Sequence, residues 1–367
     1  MDRALRVFAK GAKEGAYPGG QLAVSKECRR ITTACVGHLG SSDNPVTHHT
    51  HYDLASLTKV LATSVLFARG WEQGLCEPED PISKFVPGVH QSITLRHALE
   101  HSTGFPAHIR FDKHLPPEIP HESWDAWRHI IRQASQTQQI RPAGTKAEYS
   151  DVGFILLGAA LEAIYSQPLS TSFALLGTQL FFRDRRGPPA LPLFPVSAPV
   201  AGSELHVRPG FVHDENARAM GGAAGHAGLF GNATGVLRLA EDLVKSFHGY
   251  TNCLLQPGTV RRLWSRSRVS NSTRTLGWDT PSISKSSAGE YWPRRSVGHL
   301  GFTGCSLWIE PKSALVAVFI TNRVWPNRSN NLIRRVRPEL HNAIWKDCAE
   351  LDSGLLRNVP VVTGRSK

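Results

Sequence analysis

The two ends of the chain carry the same pattern, and it limits the fold more than any other feature. Residues 21–25 and 31–36 are short β-type runs around a charged turn; residues 306–310 and 314–321 repeat this around Pro311-Lys312. Two antiparallel hairpins, one from each end, can merge into a single sheet. Helical patterns over residues 2–15 and 329–348 would then cover one face. The long section between them is dominated by helical periodicity and Gly/Pro loops. The expected fold is therefore α/β (α+β), an antiparallel sheet flanked by terminal helices plus a mostly helical inserted domain. Residues 1–60 and 290–350 would form the sheet domain, 61–289 the helical one, and 352–367 a partly disordered tail. Residues 187–210, rich in proline and poor in charge, read as a long loop.

Within that frame one segment carries chemistry. Asp53-Leu54-Ala55-Ser56-Leu57-Thr58-Lys59-Val60 places a serine and a lysine three residues apart. If it opens a helix, both side chains share a face within hydrogen-bonding reach. A serine hydroxyl becomes nucleophilic only when something takes its proton. A lysine kept neutral by burial or by a nearby cation can do so. A second Ser-x-x-Lys, Ser282 to Lys285, lies in a polar stretch without apolar periodicity and reads as a loop. The first is followed by Leu57, Val60, Leu61, Val65 and Leu66, a stripe that anchors it against a core. No serine sits in a Gly-x-Ser-x-Gly elbow, so an α/β-hydrolase is excluded.

Two further motifs follow in order. Tyr149-Ser150-Asp151 precedes the helical run from Phe154 to Leu161, and Gly298-His299-Leu300-Gly301-Phe302 leads into a strand-like run. With Ser56-x-x-Lys59 they resemble the Ser-x-x-Lys, Tyr-Ser-Asn and Lys-Thr-Gly set of the serine β-lactamase and penicillin-binding-protein superfamily. The tyrosine points to the branch with class C β-lactamases, D-alanyl-D-alanine carboxypeptidases and related esterases. Leu95 to Pro106 and Gly225 to Phe230 extend the resemblance, which covers most of the chain from Ala16 to Trp345.

The resemblance implies a β-lactamase/transpeptidase-like fold and a serine hydrolase working through an acyl-Ser56 intermediate on an ester or amide. It makes Ser56 the nucleophile and Lys59 with Tyr149 the proton shuttle. The backbone N–H groups of Ser56 and Phe302 would form an oxyanion hole, with Asp151, His299 and Gly301 lining the substrate. Two positions depart from the family pattern. Asp151 replaces an amide with a group that only accepts when ionised. His299-Leu300 replaces Lys-Thr, keeping a part-charged cation and losing a hydroxyl. Both weaken the case for penicillins. The alternatives are a D-alanyl-D-alanine carboxypeptidase or β-lactamase, and a non-catalytic member that binds cell-wall fragments.

Composition narrows the remaining classes. A 41% hydrophobic and 20% charged chain of 367 residues fits a globular protein, and no 18-residue apolar run suggests a membrane span. The N-terminal residues lack a secretory signal pattern, so a cytoplasmic location is expected; a misassigned start hiding a leader would make it periplasmic or extracellular. The six scattered cysteines read as buried reduced thiols. Net charge is +12, with basic clusters at Arg183, Arg185 and Arg186 and at Arg334, Arg335 and Arg337. They read as solvated faces, and no nucleic-acid motif accompanies them. His48, His49 and His51 lack the further ligands a metal would need, so neither metal nor cofactor is expected. His226 reads as a structural histidine in a glycine-rich turn; Asp214 and Glu215 read equally as cleft carboxylates or helix caps. The partner implied is a small-molecule or peptide acyl substrate.

Overall fold

The computed structural model describes residues 1–40, 43–186 and 210–357. The two hairpins merge as the pattern predicts. Strands β1 (Gly19–Lys26), β2 (Arg29–Gly37), β6 (Val297–Leu300), β7 (Ser306–Glu310) and β8 (Leu315–Thr321) form one antiparallel sheet in the order β2-β1-β8-β7-β6. The join is the β1–β8 pair, which sets Gly20 against Thr321 and Lys26 against Leu315. A small second sheet places β5 (Leu229–Gly231) between β3 (Tyr52–Asp53) and β4 (Phe181–Phe182).

Strand periodicity decides how the large sheet is covered. Leu22 and Val24 of β1 and Leu315, Ala317 and Phe319 of β8 project to one face. There they meet Ala4 and Phe8 of α1 (Asp2–Lys13) and Ile333, Val336, Leu340 and Ile344 of the last helix. The intervening Ala23, Val316, Val318 and Ile320 enter the main core on the other face. With both faces covered, every residue of β8 is buried, which explains its unbroken apolar run. Each such large apolar side chain contributes roughly 1.5–3 kcal/mol on burial.

Among the described residues nine further helices follow in chain order: α2 (Ser64–Glu72), α3 (Leu95–Leu99), α4 (Trp124–Ser135), α5 (Asp151–Tyr165), α6 (Leu169–Ala174), α7 (Glu215–Ala219), α8 (Ala233–Phe247), α9 (Pro257–Leu263) and α10 (Ile333–Arg357). Helix α5 is apolar around its circumference and runs through the main core. Among the described residues no helix is long and apolar enough to cross a membrane.

Several expectations need correction or fall outside the description. The last helix extends to Arg357, so the start of the expected tail is helical; residues 358–367 lie outside the described residues. So does the expected loop at 187–210, apart from Gly210. The basic clusters are not simply solvated faces. Arg186 is buried against Glu162 and Asp184, and Arg337 is buried with its guanidinium on the carbonyls of Gly301 and Cys305. Three of the cysteines, Cys28, Cys35 and Cys253, are only half-buried, and none of the six is in a disulfide.

Candidate active site

The turn that carries Ser56 begins at the end of β3. Leu54 continues the pairing with β5 through its N–H to the Leu229 carbonyl, and the chain then turns sharply at Ala55, whose φ is +48°. A side chain in this left-handed region costs about 1–3 kcal/mol unless its surroundings enforce it. Asp53 supplies the enforcement. Its buried carboxylate accepts the N–H of Ala55 at 2.8 Å and of His213 at 2.7 Å, while the Thr58 hydroxyl donates to the Ala55 carbonyl at 2.6 Å. Burial pushes the Asp53 carboxyl up to about 6, against those two hydrogen bonds.

From Ala55 the backbone makes successive three-residue hydrogen bonds, Leu57 to Leu54, Thr58 to Ala55 and Lys59 to Ser56. A π-type turn over Lys59–Thr63 then leads into α2, because Ser64 gives both its N–H and its hydroxyl to the Lys59 carbonyl. The helix opening expected here is thus a tight turn followed by a widened one, not an α-turn. It still puts Ser56 and Lys59 on one side.

Lys59 is fully buried, 0% exposed. Its ammonium donates to Ser56 Oγ at 3.2 Å, Asp151 Oδ1 at 2.8 Å and the His226 carbonyl at 2.9 Å. Those acceptors match the three N–H bonds of an ammonium. Burial pulls the Lys59 amine down, but the Asp151 carboxylate and Tyr149 outweigh it and hold the group above its usual value. The expectation of a neutral resting lysine is therefore corrected: Asp151, standing where the family pattern has an amide, makes it one half of an ion pair. Burial likewise raises Asp151, and Lys59 then carries it well below the usual carboxylate range. Its second oxygen lies 3.2 Å from His108 Nδ1.

Tyr149 donates its hydroxyl to Ser56 Oγ at 2.7 Å. Its ring lies between the imidazoles of His101 and His299, at 4.7 and 5.9 Å between centroids. Burial raises the phenol, with Lys59 pulling the other way. His299 corrects a second expectation. It is buried and pushed down to about 3, with Nδ1 on the Leu300 carbonyl at 2.8 Å, so it is neutral rather than part-charged. The cation on this side is Arg274, 5.5 Å from the Tyr149 ring and paired with Asp279.

Gly301 is needed for close approach, though to the protein's own turn. A Cβ there would meet the Leu54 carbonyl at 2.7 Å and Cys305 Cβ at 3.0 Å. Phe302 is 45% exposed, stacked on His213 and flanked by Arg323 and Arg328. Among the described residues no carbonyl or side chain accepts the N–H of Ser56 or of Phe302. Cys305, beside this motif, is buried and raised to about 11 by that burial, which makes it an unreactive thiol.

His226 and Asp214 settle into shared roles. Asp214 caps α7 by accepting the Ala217 N–H and also takes His226 Nε2 at 2.8 Å, so the cap and cleft readings both hold. Glu215 is ion-paired with Arg110 and Arg328. His48 and His49 are exposed and His51 half-buried, as surface histidines are. A His108, Asp151 and Asp214 cluster brings ligand-type atoms within 4.8 Å of one another. Asp151 is already committed to Lys59, and Asp214 to His226 and Ala217. Sequence reasoning missed Asp53, His108 and Arg274 because their partners arrive from distant segments.

All the expected site residues, Ser56, Lys59, Tyr149, Asp151, His299, Gly301 and Phe302, lie at one cavity of about 550 Å³, with Lys59 beneath its floor. Arg323, Arg328, Arg334 and Arg337 also line it.

The chain is similar to known proteins in sequence and in fold. An Escherichia coli (strain K12) protein named "Putative D-alanyl-D-alanine carboxypeptidase" is 27% identical over 84% of this chain and 79% of its own length. Among solved structures, EstCE1, a hydrolase with promiscuous acyltransferase activity, superposes with a TM-score of 0.73 at 20% identity, covering 94% of this chain and 98% of that one. Unliganded simvastatin synthase from Aspergillus terreus gives 0.70 at 18% identity, covering 95% and 100%. The beta-lactamase family model matches residues 4–341, and the chain belongs to that family of serine hydrolases.

Proposed function

We propose that the protein hydrolyses an ester or amide through an acyl-Ser56 intermediate, with Lys59 and Tyr149 moving the proton. The observation that carries this reading is the convergence of Tyr149 Oη and Lys59 Nζ on one serine oxygen, at 2.7 and 3.2 Å. When Lys59 has given up its ammonium proton, its amine accepts the Ser56 proton as Oγ attacks the carbonyl carbon. The carbonyl electron pair moves to oxygen, where the N–H groups of Ser56 and Phe302 receive it. Donors of this kind are typically worth about 2.7–4 kcal/mol each. The pair then returns and the bond to the leaving group breaks; Tyr149 gives that group its phenolic proton and takes one back from the Lys59 ammonium, which frees the amine for the next step. Water takes the same route to release the acyl group.

One observation favours a carboxylate-bearing substrate, as in the carboxypeptidase reading. Arg334 lines the cavity beside Arg323 and Arg337; among the described residues Arg323 and Arg337 give their guanidinium groups to backbone carbonyls, and no ion pair joins any of the three to a carboxylate. The name carried by the Escherichia coli relative supports the same choice.

The test is intact-mass detection of acyl adducts after exposure to simple esters, penicillins and D-amino-acid peptides, the last with a free or amidated C-terminus. The wild-type protein gains one acyl group and Ser56→Ala gains none. Labelling that survives Ser56→Ala refutes the nucleophile. Equal reactivity of free and amidated peptides removes the carboxylate reading and leaves the esterase one.

A further inference from the structure

The ion pair beneath Ser56 creates a difficulty that the shuttle alone does not solve. Lys59 must lose a proton before it can accept one, yet Asp151 holds it as ammonium in a fully buried position. Of the two side chains paired with Asp151 among the described residues, Lys59 is fully buried and His108 is exposed. His108, 40% exposed, lies between the cleft and the far oxygen of that carboxylate, with Nδ1 3.2 Å from Asp151 Oδ2. The carboxylate thus has two basic claimants on opposite oxygens: an ammonium inside and an imidazole at the surface.

We infer that His108 is a positioning residue that governs the charge on Lys59 through Asp151. A second proton on the His108 ring, taken from solvent, compensates the Asp151 carboxylate from its outer side. The carboxylate then holds the Lys59 ammonium less tightly, and the free amine that attack requires becomes accessible. No atom is consumed; His108 exchanges its proton with water, and the acyl-transfer steps keep the balance already given. This rests on the acyl-Ser56 reading.

The surroundings favour this behaviour. The charged groups facing His108 are acidic: Asp151 at the start of α5, and Asp214 and Glu215 at the start of α7. The hydrogen bond to Asp151 raises the imidazole above its usual value, and the two more distant carboxylates add to the effect, against the burial that lowers it. Arg110, two residues on, is occupied by Asp112 and Glu215.

The coupling has a specific pH signature. Below the His108 titration, Lys59 faces a compensated carboxylate; above it, an uncompensated one. Removing the imidazole therefore slows attack on the acid side and changes nothing on the alkaline side, where His108 is already neutral. The experiment follows the rate of Ser56 labelling by a fluorophosphonate from roughly pH 5 to pH 9.5. It compares wild type with His108→Gln, which keeps a hydrogen-bonding side chain but cannot titrate, each also in an Asp151→Asn background. The expected result is a deficit of at least about threefold at acid pH, where tenfold corresponds to one pKa unit on Lys59. The deficit closes at alkaline pH and is absent in the Asp151→Asn background. A uniform deficit at every pH, superimposable profiles, or a pH-shaped deficit that survives Asp151→Asn each overturns the inference. Should Asp151→Asn not fold, the shape of the His108→Gln profile alone decides. Failure of the wild-type protein to label at Ser56 would overturn the acyl-Ser56 reading itself, and this inference with it.

Discussion

At the scale of single residues, the turn before Ser56 is a local strain held in place by its neighbours. Ala55 adopts its left-handed backbone because Asp53 and Thr58 grip it from both sides. Asp53→Ala removes the acceptor for two buried N–H groups, each costing about 1–3 kcal/mol when left unpaired. The variant is expected to unfold at lower urea concentration and to label at Ser56 more slowly. Unchanged labelling with intact stability would show that the turn holds itself. The spacing of Ser56 and Lys59 was legible because it is local, and Tyr149 because it came with a motif. The charge states were not. His299 is neutral and Lys59 is charged for reasons of burial and partner choice, and a linear pattern records neither.

At the scale of elements, the positions of β3, β5 and α5 set the chemistry. Helix α5 supplies Asp151 at its first turn, while the turn before β5 supplies the His226 carbonyl to Lys59. These two elements touch backbone to backbone. A Cβ on Gly158 would fall 2.6 Å from the Gly225 nitrogen and 2.8 Å from its Cα. Gly158→Ala must push the Gly225-His226 turn away from Lys59, with an overpacking cost of about 1–3 kcal/mol. Slower Ser56 labelling and lower stability are expected together. Gly258→Ala in α9, where a Cβ meets nothing within 4 Å, serves as the control and leaves labelling unchanged. Helices and strands were readable from periodicity. The π-type turn after Lys59 was not, because the apolar stripe from Leu57 to Leu66 reads as an ordinary helix.

At the scale of the whole molecule, buried histidines set the response to acid. His213 and His341 are held down to about 4 and His299 to about 3, in each case chiefly by burial. The unfolded chain takes up these protons near pH 6.5, and the folded one only much lower. Their stabilising contribution is therefore full above about pH 6.5 and is lost as the pH falls toward 4. Asp53, raised to about 6, acts in the opposite sense over part of that window, as do the raised His108 and Glu162, while His97 and His101, both held down by burial, add to the loss. The thermal unfolding midpoint should fall steadily between those limits. A flat midpoint across the window would mean that these rings are hydrated in the folded state. The sheet order was legible from the two terminal hairpins, since alternation and turn residues are local signals. The arginines that brace it were not: Arg337 reads as one of a charged run and is in fact buried beneath the Phe302 loop.

The β1–β8 pairing also bears on how the enzyme is made. A ribosome delivers Ser56 early, but the strand that closes the sheet beside β1 emerges only at Thr321, and the helix bracing the Gly301 loop later still. A growing chain therefore carries every reactive side chain of the Ser56 cluster before it has the scaffold to align them. Competence arrives in one late step, and truncated products should be inert toward acyl donors.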